Sequence, residues 1–268
     1  MSKRILTTFM IVFTLFLYAP TLLLPIFAFN DSSIIAFPLS GFTFEWFYSL
    51  TEADELRGAA LNSLIIAAAS SVLATCLALL ATSATVRYKF PGKGLMIGVI
   101  MVPMFLPEII IGVSLLTVVL LAGLKLSIYT IIMGHTLICT PFAIAILRSS
   151  FQQLDPSLEE ASLDLGETRF DTFRRITLPL IMPGVTSSLL IAFTISLDEF
   201  VIAFFLSGTE PTLPVYIWSQ LRFPQRIPSV MALGTLLLLL SIGLLTLSEV
   251  LRRRSVRRLG QHDTSGAW

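Results

Sequence analysis

Apolar residues fill this chain in long runs, and short polar stretches separate them. The runs Ile5–Phe29, Leu61–Val86, Leu95–Leu121, Ser127–Leu147, Leu180–Leu206 and Ser229–Leu251 each reach the roughly 20 residues that a membrane-spanning helix requires. The pattern therefore predicts six spans. The first run is longer than a signal-peptide core and ends at no small-residue cleavage site, so it is expected to stay in place as a span. One long polar island, Pro156–Pro179, interrupts the alternation. Asp155 suits a helix N-cap and Pro156 its first position, with Glu159 and Glu160 near the positive helix end. Leu154, Leu158, Ala161 and Leu165 recur at helical spacing, with Glu160, Ser162 and Asp164 facing away. Gly166 is expected to stop that helix. Thr168 then opens another, with Asp171 as its capping-box partner and Phe170, Phe173 and Ile176 along one side. The expectation is two short amphipathic helices meeting at a glycine.

Composition agrees with an all-α polytopic membrane protein: 55% of residues are hydrophobic, 13% are charged, and mean hydropathy is +0.86. The net charge of +1 carries no information about partners, because the charges are segregated by side. Cys76 and Cys139 lie inside apolar runs, so no disulfide framework is expected, and no Cys/His spacing suits a metal. His135 and His262 have no ligand-like neighbours. The Gly92-Lys93-Gly94 stretch lacks the upstream glycine and the Ser/Thr of a phosphate-binding loop, so any ATP chemistry belongs to another chain.

Orientation follows from Lys and Arg near the span ends. Lys3 and Arg4 precede the first span, and Arg87, Lys89 and Lys93 lie between the second and third. Arg148, Arg169, Arg174 and Arg175 lie between the fourth and fifth, and Arg252, Arg253, Arg254, Arg257 and Arg258 follow the sixth. The intervening loops carry fewer: Arg57, then Lys125, then Arg222 and Arg226. Both termini and the polar island are thus expected to be cytoplasmic. The outer Asn30–Ala60 loop is acidic and rich in Phe, Trp and Tyr, which suits a headgroup-level aromatic belt or a contact surface for an external partner.

Ionisable groups inside spans need a partner or a wet cavity. Asp198 and Glu199 fall in the fifth predicted span, and Glu108 in the third, after Pro107. At 1.5 Å per residue, Asp198 would lie about 27 Å beyond Leu180 and Glu108 about 20 Å beyond Leu95, both in the outer half of the bilayer. Ser187, Thr194 and Asp198 share one helical face, whereas Glu199 is turned about 100° away. Pro103 and Pro107 weaken the third helix. Carboxylates on a polar face suit a cation; the competing reading pairs each acid with Arg or Lys at a subunit interface. His135 suits a helix–helix hydrogen bond, and Asn62 a cap on the second span. Tyr216 and Trp218 suit either interface anchoring or cation–π contact with an ammonium group.

The polar island also carries a resemblance. Glu160-Ala161-Ser162, Gly166 and Ile176-x-Leu178-Pro179 resemble the EAA loop of ATP-binding-cassette (ABC) importer permeases, with Ser162 where that family usually has Ala. The resemblance implies that Glu160, Ala161, Ser162, Gly166, Ile176, Leu178 and Pro179 form a cytoplasmic coupling helix docked on an ATPase. Farther along, Ser196–Gly208 and Leu213–Ser219 resemble the second permease of spermidine/putrescine importers, where acids occupy the positions of Asp198, Glu199 and Glu108. The implied fold is the type I ABC importer (binding-protein-dependent) permease: one transmembrane domain over 1–268, with a first helix at 5–29, a core at 57–251 and the coupling loop at 155–179. The implied partners are a homologous permease, two ATPase subunits that bind ATP and Mg, and a periplasmic solute-binding protein. The setting is a bacterial inner membrane, with no nucleic-acid partner and no cofactor or metal in this chain. The same branch contains importers for opines, aminophosphonates and ferric iron. The implied solute path is Asp198, Glu199, Glu108, Thr194, Tyr216 and Trp218. A self-contained secondary transporter would leave the polar island unexplained and shows no inverted repeat. A membrane enzyme would need clustered catalytic groups, and the acids and His are scattered.

Overall fold

The computed structural model describes residues 3–239 and 242. Among them the chain is helical apart from connections and one isolated bridge between Asn30 and Phe42. The helices are α1 (Lys3–Ala28), α2 (Glu45–Thr51), α3 (Asp54–Arg87), α4 (Lys93–Met101) and α5 (Glu108–Leu121). There follow α6 (Ile128–Gln153), α7 (Pro156–Asp164), α8 (Arg169–Thr172), α9 (Leu178–Asp198), α10 (Val201–Leu206) and α11 (Leu213–Gln220), then α12 over 227–239. The chain divides into two compact units, one of residues 55–216 and one of residues 1–54 with 217–268.

Among the described residues, four continuous helices are long and apolar enough to cross a membrane: Arg4–Ala28, Asp54–Arg87, Ile128–Gln153 and Arg169–Asp198. The predicted third span is not a single rod. Lys93–Met104 and Glu108–Leu121 are bent by 104°, because Pro103 and Pro107 remove two backbone donors and crowd the preceding turn. The straight-helix depth given to Glu108 therefore does not hold. Even so, the bent pair must cross as one span. Arg87, at the end of α3, lies 2.8 Å from Glu159, just beyond α6, so α3 and α6 end on the same side. Only a crossing between them allows that. Among the described residues there are thus four continuous spans and one bent span, toward the six expected. The sixth run, Ser229–Leu251, is described as helix to residue 239, and its remainder lies outside the described residues apart from Ile242.

The larger unit is built on α6 packed against α9, with α10 against α5. The buried face of α3 is a stripe of small residues, among them Ala59, Ser63, Ala67, Ser70, Ala74 and Ala78. Lipid is as apolar as Leu, so spans associate by close backbone approach and by hydroxyl hydrogen bonds. Ser70 donates to the Ile132 carbonyl at 3.3 Å, and Thr75 meets Ser188 of α9 at 3.2 Å. A β-carbon on Gly184 would come within 2.0 Å of Ser150 Oγ, so α9 crosses α6 with no room for a side chain. Asn62 proves not to be a cap. α3 starts eight residues earlier, at Asp54, and the Asn62 amide donates to the Pro211 carbonyl at 3.2 Å.

In the smaller unit, Phe29 is surrounded by Phe42, Phe44 and Phe47 at ring distances of 4.9–5.3 Å. The Trp46 indole donates to the Asn30 carbonyl at 2.8 Å. The outer aromatics therefore pack partly on one another, while Phe37, Phe42 and Tyr48 remain exposed.

Candidate functional site

The polar island has the local geometry its residues dictate. Asp155 accepts from the Ser157 amide at 3.0 Å, and that donor holds the Asp155 carboxyl below the usual carboxylate range. Gly166 takes φ +90°, which only glycine adopts cheaply. Its N–H bonds the Leu163 carbonyl at 2.9 Å and the Glu167 N–H bonds the Ser162 carbonyl at 3.2 Å, the paired bonds of a Schellman stop. Thr168 caps the next helix, accepting from the Asp171 amide at 3.2 Å, and its hydroxyl also meets the Asp171 carboxylate.

That next helix is not a separate short one. α8 continues through a π-helical turn, Phe173–Thr177, directly into α9. Pro179 has no N–H and would crowd the carbonyl of Arg175 in a regular helix, and widening the turn relieves both problems.

α7 turns Glu159 and Ser162 inward and leaves Glu160 and Asp164 exposed, so Ser162 does not face away with those acids as expected. Ser162 is buried and meets Thr172 of α8 at 3.0 Å. Glu160, Ala161 and Gly166 are exposed, as are Leu158, Leu165 (86% exposed) and Phe170. Ile176 and Leu178 are half-buried and Pro179 is exposed. An apolar stripe turned to solvent beside a motif glutamate is the form of a docking edge. Sequence reasoning missed the adjacent Glu159, which points the other way. Its carboxylate takes Arg87 at 2.8 and 3.1 Å and the Thr177 hydroxyl at 2.7 Å. A cavity of about 400 Å³ opens beside these groups, lined also by Tyr88, Glu160 and Arg169. No local pattern marks the Arg87–Glu159 pair, whose members lie 72 residues apart.

The second constellation is a break in the fifth span. α9 ends at Asp198, Glu199 is extended (ψ 119°), and α10 begins at Val201. The cause is Glu199 itself. Its buried carboxylate accepts from the amides of Ile202 at 3.0 and 3.1 Å and Ala203 at 3.2 Å, capping α10. Glu199 Oε2 also lies 3.5 Å from His135 Nε2, and His135 Nδ1 meets Ser196 Oγ at 2.7 Å, the helix–helix bond expected of that histidine. Level with His135, the break lies about 10 Å along α6 from its start at Ile128. Glu108, in the first turn of α5, lies within electrostatic reach of Glu199.

Asp198 differs from its neighbour. It is exposed on the same open face of α9 as Ser187 and Thr194, and among the described residues no hydrogen bond or ion pair engages it. It closes α9, where the helix dipole disfavours negative charge. Thr194 bonds its own helix at the Leu190 carbonyl, 2.9 Å away. Tyr216 is half-buried and Trp218 exposed, both on α11.

The family model of the binding-protein-dependent transport system inner membrane component matches residues 74–261. The chain is 35% identical over 246 residues to the spermidine/putrescine transport system permease protein PotC of Escherichia coli K12, covering 91% of this chain and 92% of the relative. It is 37% identical over 231 residues to the putrescine transport system permease protein PotI of the same organism, covering 83% and 82%. In fold, it matches a chain of a bacterial alginate ABC transporter, solved with an alginate pentasaccharide-bound periplasmic protein. The TM-score is 0.71 and the identity 20%, over 94% of this chain and 93% of that one. The chain belongs to the family of binding-protein-dependent transport system inner membrane components and is a permease subunit of an ABC importer, not an enzyme.

Proposed function

We propose that this chain carries polyamines, spermidine or putrescine, inward across a bacterial inner membrane. It does so beside a homologous permease, with two ATPase subunits below and a periplasmic solute-binding protein above. Both termini face the cytoplasm. ATP and Mg belong to the ATPase subunits. Their closure moves α7 through the docking edge of Glu160, Ala161 and Gly166, with Ser162, Ile176, Leu178 and Pro179 holding that edge to the spans.

The observation that carries the solute reading is Asp198. It is an unpartnered carboxylate at the negative end of a membrane helix, on an open face shared with Thr194. An ammonium group there relieves the dipole penalty and gains a charge-assisted hydrogen bond. Glu108, in the first turn of α5 and within electrostatic reach of Glu199, adds a further acid to this region, which disfavours an anionic solute. Glu199 is spent on capping α10, so its role is to hold the break that presents Asp198. Tyr216 and Trp218 supply aromatic faces for passing ammonium groups. The likeness to the spermidine/putrescine permeases over most of the chain supports the same class of solute.

The test is ATP-dependent uptake of labelled putrescine and spermidine in vesicles holding the full complex. Asp198→Asn should lower uptake at least about tenfold, the equivalent of one charge-assisted contact of ~1.4 kcal/mol or more. Wild-type uptake left intact by Asp198→Asn would remove that acid from the path. No polyamine uptake by a complex that retains active ATPase would overturn the solute class and leave the permease assignment standing.

A further inference from the structure

We propose that Glu159 is the mechanical joint of this permease, the side chain through which a displacement of α7 reaches two membrane spans at once. The inference rests on the coupling role given to α7 above and names the residue that carries it. Glu159 Oε2 lies 2.8 Å from Arg87 Nε, and Oε1 accepts from Arg87 Nη2 at 3.1 Å. Arg87 is the last residue of α3. The same Oε1 accepts from the Thr177 hydroxyl at 2.7 Å, and Thr177 closes the π-turn that feeds α9. The Arg87 guanidinium also lies 5.9 Å over the ring of Phe151, buried near the end of α6. One carboxylate on the moving helix thus holds the cytoplasmic ends of α3 and α9 and, through Arg87, touches α6.

The chemistry suits a joint better than ordinary packing would. One charge-assisted hydrogen bond, from Arg87 Nη2, and the close approach of Nε to the other carboxylate oxygen together resist separation of the pair. Both side chains are only about a fifth exposed, at 20% and 18%, so water screens the pair less than it screens surface ions. Glu160, the neighbouring residue, is exposed and free to face a docked partner. The two adjacent glutamates therefore divide the work, with Glu160 outward and Glu159 inward. The two bonds of Glu159 are chemically distinct, so each can be cut alone. Glu159→Gln removes the charge that holds Arg87 and keeps an oxygen for Thr177. Thr177→Val removes the second bond and keeps the shape of a buried side chain.

The experiment is hydrogen exchange on the full complex in detergent, with and without a non-hydrolysable ATP analogue. It is followed at residues 156–164, 82–87 and 173–180. In the wild type, nucleotide should change exchange in all three segments. In Glu159→Gln the response of 82–87 should fall several-fold while that of 156–164 persists. In Thr177→Val the loss should fall on 173–180 instead. A residue that merely stabilised the fold would raise exchange with and without nucleotide and would show no such division. Equal nucleotide responses in all three segments of both variants would overturn the joint and leave the coupling reading intact. A wild-type complex in which even 156–164 ignores nucleotide would overturn the coupling reading, and the joint with it.

Discussion

Ser162 shows how one atom changes the meaning of a motif position. Where the resemblance leads one to expect Ala, a hydroxyl is buried against Thr172 at 3.0 Å, joining α7 to α8. Ser162→Ala leaves a buried Thr172 hydroxyl without that partner and should destabilise the fold by about 1 kcal/mol. Adding Thr172→Val should recover most of the loss, since both partners are then apolar. Thermal unfolding of the purified chain in detergent, run as a double-mutant cycle, checks this; a double variant as unstable as the sum of the singles would rule out the bond. The residues that were legible in the sequence are those whose partners are close in the chain. Asp155, Gly166 and Thr168 form caps and stops within three residues of themselves. Glu159 was not legible, because its partner Arg87 lies a whole span pair away. Glu199 was half-legible. An acid inside a predicted span was an obvious anomaly, but its use as a cap on α10 depends on a break that the acid itself creates.

At the scale of elements, hydrophobic runs located the spans but not their breaks or crossings. α9 could be read as a span from Leu180, yet neither its seamless continuation from α8 at Arg169 nor its end at Asp198 follows from apolar content. A π-turn keeps the first helical, and a side-chain cap interrupts the second. How closely α6 and α9 approach was equally hidden, since a glycine in an apolar run reads as weak helix, not as a contact. Gly184 is that contact. A β-carbon there meets both Oγ and Cβ of Ser150, at 2.0 and 2.7 Å. Rotation of the hydroxyl clears only the first of these. Gly184→Ala should therefore cost about 1–3 kcal/mol and Gly184→Val more. Gly98→Ala, where nothing lies within 4 Å, should be neutral or gain up to ~1 kcal/mol from helix propensity. Unfolding midpoints of the three variants measured side by side test the assignment. A Gly184→Ala chain as stable as Gly98→Ala would mean that α6 and α9 are not in contact at that point.

For the whole molecule, charge gives the expected side of each segment and an ion pair gives the parity of the crossings, two arguments that need not have agreed. Lys and Arg concentrate at the start of α1, around the α3–α4 connection and between α6 and α9, the distribution expected of cytoplasmic segments. The Arg87–Glu159 approach separately requires α3 and α6 to end on one side, and so requires the bent pair 93–121 to cross between them. Bend and charge thus fix a parity. Along the chain, three crossings, α3, the bent pair and α6, come between the loop after α1 and α7, which predicts opposite faces for the two. Ser33 in that loop and Ser157 on α7 are both exposed and serve as reporters once Cys76 is replaced by Ser. The other thiol, Cys139, is buried. A membrane-impermeant maleimide should label Ser33→Cys from the periplasmic side of a sealed inner membrane. Ser157→Cys should react only after that membrane is opened. Labelling of both from the same side would make 93–121 a re-entrant hairpin, and the Arg87–Glu159 contact could not then form across the bilayer. Reversed labelling would keep the crossing and invert the orientation. In that case the docking edge on α7 would face away from any source of ATP, and the coupling role would fall with it.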